Sequence, residues 1–542
     1  MNGKPQSPPT LRRQLSQAVA WNAVFTPIKF IIDTIANLIK VNLLTRAELG
    51  AISLVSSAAS SAGIWLDLGI EQTLPKFIPE VEHAGGRSAV RFFLRRIISI
   101  KLLVLLAGLL TMPLWGGVLL KQIRSGAEQL AAQEGLNSIG PLLDQVGRFG
   151  WFFLATVALL IILGALYDTL MAYLISFFRQ KAWNIINVFA TLALPILTVS
   201  AVLLGYGVLG VLAAMVATAL LSVLVTWQHV RRISAARTDD AADQPFQGSL
   251  WRRFLPYTAM AFFISASEYF SSQYFVALRL GQNLSDVALF WVAYSFIKQI
   301  QGYVYTPLQG IQVPLFARVR AAGDHNLPRV FATLARLILV LVIPSSIGLA
   351  ILLPNLILVQ FPTYEASIKL GLVLIPFFFT EPFWGLGHNV LMVHEAYQPV
   401  LLSRLCALVS IPLVVVLPPL LGLWGVALAI GISKLVAGLV VVGVATHRYQ
   451  LFFPWQFALR VLLAGGIMGA VLLLGVWLLG VSSANASINQ RITSFAVCLG
   501  LTVVGGGCFI AAARMLRLIN EEDRVLLADI RNPMAQRLLR LL

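Results

Sequence analysis

The chain has 542 residues, of which 58% are hydrophobic and only 12% charged, whereas a soluble domain is roughly 45–50% apolar and about 25% charged. That balance argues against a water-soluble fold, and apolar runs of about 20 residues recur from end to end, leaving no stretch for a separate soluble domain. The 40 Lys and Arg against 23 Asp and Glu give a net charge of +17, which in so apolar a chain reads as basic cytoplasmic loops and contact with anionic membrane lipids rather than nucleic acid.

Taken in chain order, apolar runs bounded by Gly, Pro and charge breaks predict helices near 17–40, 47–71, 97–120, 149–176, 183–205, 207–229 and 254–280, then near 286–315, 331–357, 367–393, 397–419, 424–446, 455–480 and 491–514. The expected fold is an all-α polytopic integral membrane protein of about 14 transmembrane helices. Arg12 and Arg13 precede the first run, but Lys29 and Asp33 inside it and the lack of an A-x-A-like cleavage site make it a permanent span rather than a signal peptide. An even count places both termini on one side. About 25 Lys and Arg fall on that side and about seven opposite, so both termini are expected in the cytoplasm. The stretch from Lys121 to Arg148 is expected as the longest outward loop.

An internal repeat runs through the pattern. Ala47-Glu48-Leu49-Gly50 opens the second span and Ser285-Asp286-Val287-Ala288 opens the eighth. Arg96-Ile97-Ile98 parallels Arg336-Leu337-Ile338, and the GxxGV turn at Gly207–Val211 parallels that at Gly422–Val426. Two parallel six-helix lobes follow, 1–235 and 250–447, with 448–542 supplying two extra helices and a tail. In that tail, Asn532-Pro533 opens a short segment expected to lie as a helix on the membrane surface.

Two polar stripes stand out. Asn22, Thr26, Lys29, Asp33, Asn37 and Lys40 share one face of the first helix, and Tyr294, Lys298, Gln301, Tyr305, Gln309 and Gln312 repeat those spacings on the eighth. Lipid cannot hydrogen-bond such a row, and a charge at the helix centre costs roughly 2.5–3.5 kcal/mol, so both stripes are expected to face water or protein. Lys29 and Asp33 could satisfy each other, and the glutamines could bond between packed helices. A complete row exceeds what packing usually uses, which favours a hydrated cavity. The seventh helix adds Ser265, Glu268, Ser271 and Ser272, and Asp168, Glu381, His388, Arg404 and Lys434 are further buried ionisable residues without a partner identifiable from spacing. His388 and His394 are six apart, which does not place both on one helix face, and Cys406, Cys498 and Cys508 lie in apolar runs without metal spacing. No metal site, cofactor or catalytic constellation is expected, and the chain is not read as an enzyme.

At Leu43-Leu44-Thr45-Arg46-Ala47-Glu48-Leu49-Gly50, and again from Asp67-Leu68-Gly69-Ile70-Glu71 to Glu80, the chain resembles bacterial polysaccharide exporters of the flippase type. These belong to the multidrug/oligosaccharidyl-lipid/polysaccharide exporter superfamily. The resemblance implies a flippase of the cytoplasmic membrane that moves undecaprenyl-pyrophosphate-linked O-antigen or exopolysaccharide units by alternating access. It implies a cavity lined by helices 1, 2, 7 and 8, with membrane lipids, H+ or Na+, and polysaccharide assembly proteins as further partners. Lys29, Lys298, Asn22, Asn37, Gln301, Tyr305, Arg46 and Arg279 are the expected substrate contacts, and Glu268 and Asp33 the expected ion-coupling carboxylates. A cation-coupled multidrug exporter of the same superfamily is the main alternative, and a membrane polysaccharide polymerase or ligase the more distant one.

Overall fold

The second span begins where the sequence supplies both halves of a helix start. The hydroxyl of Thr45 accepts the Glu48 amide at 3.2 Å, and the Glu48 carboxylate accepts the Thr45 amide at 2.8 Å, a reciprocal cap that satisfies two of the four unpaired amides of a helix N-terminus. At the start of the eighth span the Asn283 side-chain carbonyl accepts the Asp286 backbone amide at 3.3 Å, while the Asn283 side-chain amide donates to the Asp286 carboxylate at 2.9 Å. The two segments matched in sequence thus share a side-chain cap on the amide three residues on, and the reciprocal backbone bond is made at Thr45, whereas the Asn283 backbone amide bonds Leu280 O.

In this computed structural model the described residues are 32, 39, 42–134, 136–177, 180–235, 248–270, 272–281, 283–321, 323–479, 488–516 and 518. The polar stripe from Asn22 to Lys40 and the expected surface helix of the tail lie outside them. The described residues form α1 (Arg46–Asp67), α2 (Ile70–Leu110), α3 (Met112–Glu134), α4 (Leu136–Ser176), α5 (Gln180–Leu203), α6 (Gly207–Ala235), α7 (Gly248–Tyr269) and α8 (Gln273–Arg279). They continue with α9 (Leu284–Ala321), α10 (Leu327–Gln360), α11 (Ala366–Val393), α12 (Tyr397–Cys406), α13 (Ser410–Leu421), α14 (Leu423–Tyr449), α15 (Trp455–Leu479) and α16 (Ile488–Met515). No strand occurs among the described residues. Among the described residues, ten helical segments are long and apolar enough to cross a membrane, or eleven when the bent pair α2–α3 counts as one span. The protein is therefore an all-helical, multi-pass membrane protein, and the span count is compatible with 14.

Three expected boundaries change. The span expected at 97–120 is broken, because α2 ends at Leu110 and α3 leaves it at 58°; Pro113, lacking an amide hydrogen, cannot continue the ladder. The expected loop 121–148 is helical on both sides of residue 135. Its apolar residues, Ile123, Ala127 and Leu130 on α3 and Ile139, Leu142 and Val146 on α4, bury into a core shared with Ala51, Leu54 and Val55 of α1, so a charge-balanced surface coexists with a helical buried face. The span expected at 254–280 is two helices: Ser272 restarts the chain as α8, its hydroxyl donating to Tyr269 O at 2.6 Å.

The described residues group into two units. One, within 31–296 and 400–437, holds two apolar cores; the other, within 297–399 and 438–542, is built on α10, α15 and α16, which pack around Leu352, Val461, Met468 and Leu472. The small residues singled out in the sequence serve as packing faces. Ser53, Ser57 and Ser61 are buried, and a side chain at Gly505 would meet Leu472 at 3.0 Å.

Candidate functional site

Within the unit that starts at Ile297, α9 lays its polar row against α11. The Lys298 ammonium donates to the Glu381 carboxylate, and the Gln301 amide donates to the same oxygen at 3.3 Å. Further along, the Asn389 amide donates to Gln312 Oε1 at 2.7 Å, the Gln312 amide donates to the Tyr305 hydroxyl at 3.2 Å, and that hydroxyl donates to Pro382 O at 3.3 Å. This is a directional chain in which each donor finds an acceptor, as a buried polar network requires. Gly385 makes room for it, since a side chain there would stand 2.8 Å from the Tyr305 oxygen.

Burial separates the row into two parts. Gln301, Tyr305 and Gln312 are 4%, 6% and 0% exposed, so their polar groups are spent on protein partners. The Lys298 side chain is 42% exposed and Glu381 is 19% exposed. The Lys298 ammonium also stands over the Phe378 ring, 5.3 Å from its centroid, a cation–π contact. The row therefore holds an accessible ammonium whose counter-charge, Glu381, comes from 83 residues away, a partner that helical spacing could not reveal.

The other expected residues are distributed differently. Asn22, Lys29, Asp33 and Asn37 lie outside the described residues, as does the side chain of Glu268 on α7. Arg46 is half-buried at the first position of α1. Arg279 is exposed at the end of α8, on a pocket of about 130 Å³ that is otherwise apolar, with Val276, Leu280, Val414, Pro418, Pro419 and Val426. Among the described residues no group of His, Cys, Asp and Glu is placed to hold a metal ion.

A second charged centre was missed in the sequence. In the other unit, Lys101 of α2 meets Asp67 at 2.6 Å and Glu71 at 2.5 Å, and donates to the Thr169 hydroxyl of α4 at 3.0 Å. The Thr169 hydroxyl passes its own hydrogen to Ala165 O at 2.7 Å, and the charge of Asp168 also acts on this centre. Asp67 and Glu71 are brought together by the turn Leu68-Gly69, where Leu68 takes φ 56° and Gly69 φ 72°. Only glycine fits at 69, because a side chain would lie 2.3 Å from Phe262 N of α7. The signal was present in the sequence: a lysine inside the apolar run after Arg96, and two carboxylates flanking a Leu-Gly turn.

Comparison with known proteins agrees with this architecture. Residues 151–363 match the family described as "Polysaccharide biosynthesis protein". Among solved structures, the lipid II flippase MurJ in an inward closed conformation superposes with a TM-score of 0.63 at 13% identity, covering 91% of this chain and 99% of that one. A multidrug resistance MATE family transporter of the MOP superfamily superposes in its inward-facing form with a TM-score of 0.56 at 14% identity, covering 78% of this chain and 94% of that one. Its outward-facing counterpart gives 0.55 at 15%, covering 82% and 99%. A search of curated protein sequences found no match. The resemblance read from the sequence is borne out: a polysaccharide biosynthesis signature over 151–363 sits within the fold shared by a lipid II flippase and multidrug transporters of the exporter superfamily.

Proposed function

We propose that this protein is a flippase that carries an undecaprenyl-pyrophosphate-linked oligosaccharide, such as an O-antigen or exopolysaccharide repeat unit, across a bacterial cytoplasmic membrane. The observation that carries the reading is the accessible ammonium of Lys298 on the same helix face as the buried, hydrogen-bonded Gln301, Tyr305 and Gln312. A pyrophosphate cannot enter hydrocarbon without compensating charge, and a lysine can exchange a carboxylate oxygen for a phosphate oxygen. By its matching sequence position Lys29 supplies a second cation, with Arg46 and Arg279 as further ones, while Asn22, Asn37, Gln301 and Tyr305 offer hydrogen bonds to sugar. Gln301 and Tyr305 are buried against α11, so they meet substrate only when α9 and α11 part. The prenyl tail stays in lipid, and the lobes 1–235 and 250–447 rock to expose the site to each side in turn. Both termini face the cytoplasm in this scheme, and cysteine labelling at Gln129 and Gln247 should report opposite sides. Labelling from the same side would overturn that orientation.

A cation gradient, H+ or Na+, drives the cycle through Glu268, with Asp33 chiefly setting the charge state of Lys29. The deciding experiment is transport of a fluorescent polyprenyl-pyrophosphate oligosaccharide in reconstituted vesicles, with and without an imposed gradient. Wild type should respond to the gradient and Glu268→Gln should not, whereas Asp33→Asn should lose transport in both conditions. An equal response in wild type and Glu268→Gln removes Glu268 from coupling, and absence of transport of any prenyl-linked sugar removes the flippase reading. The fold shared with a multidrug resistance transporter supports a second reading, a cation-coupled multidrug exporter in which a carboxylate such as Asp33 or Glu268 binds the ion, and for which the same vesicles should instead move a cationic dye.

A further inference from the structure

A pocket of about 130 Å³ lies where the end of α8 meets the turn between α13 and α14. Close packing fixes both of its sides. Gly281, just past α8, stands so near α1 and α3 that a side chain there would lie 3.1 Å from Leu54 and 3.0 Å from the Gln122 side chain. Opposite, a side chain at Gly425 would lie 2.3 Å from Leu417 O, so only glycine lets α14 begin this close to α13 and bring Val426 to the pocket. Val276, Val414 and Val426 are buried in its lining. Arg279, the last residue of α8, is exposed on it and is the only charged group among the described lining residues.

The surroundings place this pocket beside lipid. Val415, Val416 and Leu420 of α13 are exposed, and so is Trp424 in the turn, the side chain that membrane proteins set at headgroup level. A dry apolar cavity of about 150 Å³ holds one benzene molecule, so a chamber of about 130 Å³ holds one five-carbon isoprene unit. The guanidinium beside it is a planar fork of donors that matches phosphate oxygens. In a phospholipid, glycerol and its ester carbonyls separate the phosphate from the hydrocarbon, and those carbonyls need donors or water. Pro418 and Pro419 have no amide hydrogen, and the valines and Leu280 bring no donor in their side chains. In a polyprenyl phosphate the branched hydrocarbon begins at the phosphate oxygen itself, which is the order of groups that Arg279 and the chamber present.

We propose that this pocket is a subsite for a polyprenyl phosphate: Arg279 holds the phosphate or pyrophosphate, and the isoprene unit next to it fills the chamber between α8, α13 and α14. Resting on the flippase reading, this gives the lipid carrier, apart from its sugar, a site of its own. The remainder of the prenyl chain stays in lipid along the exposed face of α13. In the orientation proposed above both turns face outward, so the carrier is held here once the sugar has crossed.

The test is photolabelling of the full-length protein in phosphatidylcholine nanodiscs with farnesyl phosphate that carries a diazirine on its first isoprene unit, read by mass spectrometry of the labelled peptides. Label should fall on residues 276–280 and 414–426. Unlabelled undecaprenyl phosphate should compete about tenfold better than phosphatidylglycerol or inorganic phosphate. Arg279→Gln, at an exposed helix end, should stay folded and cut labelling about tenfold, the loss of one charge-assisted contact. Leu280→Trp should fill the chamber and abolish labelling of 414–426; if that variant does not fold, Arg279→Gln decides. Label outside these residues, equal competition by phosphatidylglycerol or by inorganic phosphate, or unchanged labelling in either folded variant overturns the subsite. No sugar and no translocation enter this measurement, so failure of the flippase reading in vesicles and failure of the subsite are separate results.

Discussion

The two lysine centres place the same side chain in apolar surroundings and use it in opposite ways. Lys101 is 3% exposed, donates to Glu71 and Thr169, and pairs with the Asp67 carboxylate at 2.6 Å. Lys298 is 42% exposed and meets Glu381 and the face of Phe378. An ammonium that is buried and saturated cannot take a ligand without first losing partners in a medium of low dielectric, where an uncompensated charge is costly. An accessible one can exchange. The first centre is therefore a fastening between α1, α2 and α4, and the second is a place where an anion can be received.

Replacing the two lysines should separate these roles. Lys101→Met leaves Asp67 and Glu71 buried against each other without a counter-charge, and breaking a buried pair in this way costs about 3–5 kcal/mol. We expect a marked loss of folded protein, read as thermal unfolding of the detergent-solubilised chain by size exclusion. A variant as stable as wild type would show that the centre is not a fastening. Lys298→Gln should leave that unfolding profile close to wild type while transport in vesicles falls about tenfold, the loss of roughly 1.4 kcal/mol of charge-assisted contact; Lys298→Arg, which keeps the charge, should be milder. Unchanged transport in Lys298→Gln would move the anion site to Arg46, Arg279 or Arg404. The smallest effect is expected from Glu381→Gln, which keeps a hydrogen-bond acceptor for Lys298 but removes the competing charge. It should tighten binding of the pyrophosphate headgroup by a few-fold in a direct binding measurement, and weaker binding would assign Glu381 to substrate contact rather than to competition.

The same contrast marks how far the sequence could be read. Apolar run length located α1, α5, α6, α10, α11, α14, α15 and α16, and the C-terminal end of α4, to within several residues, because a chain surrounded by lipid must satisfy its backbone within each helix. The 121–148 segment was misread because its charges were weighed and its buried face, Ile123, Ala127 and Leu130 opposite Ile139, Leu142 and Val146, was not. The break before α8 was missed because Ser271 and Ser272 were counted as polar lining, whereas Ser272 caps a new helix.

What the sequence determined by itself was therefore the class of molecule and the face of α9 on which its polar residues lie, since both follow from period and hydrophobicity along one helix. What only the tertiary structure decided was which of those residues are already spent. Gln301 and Gln312 could have lined water, but Glu381 and Asn389 on α11 take their hydrogen bonds. Lys101 gave no local sign of its partners because Thr169 is 68 residues away. A helical period specifies direction around one axis; a hydrogen bond between helices depends on which axis stands opposite, and that is set by the packing of the whole unit.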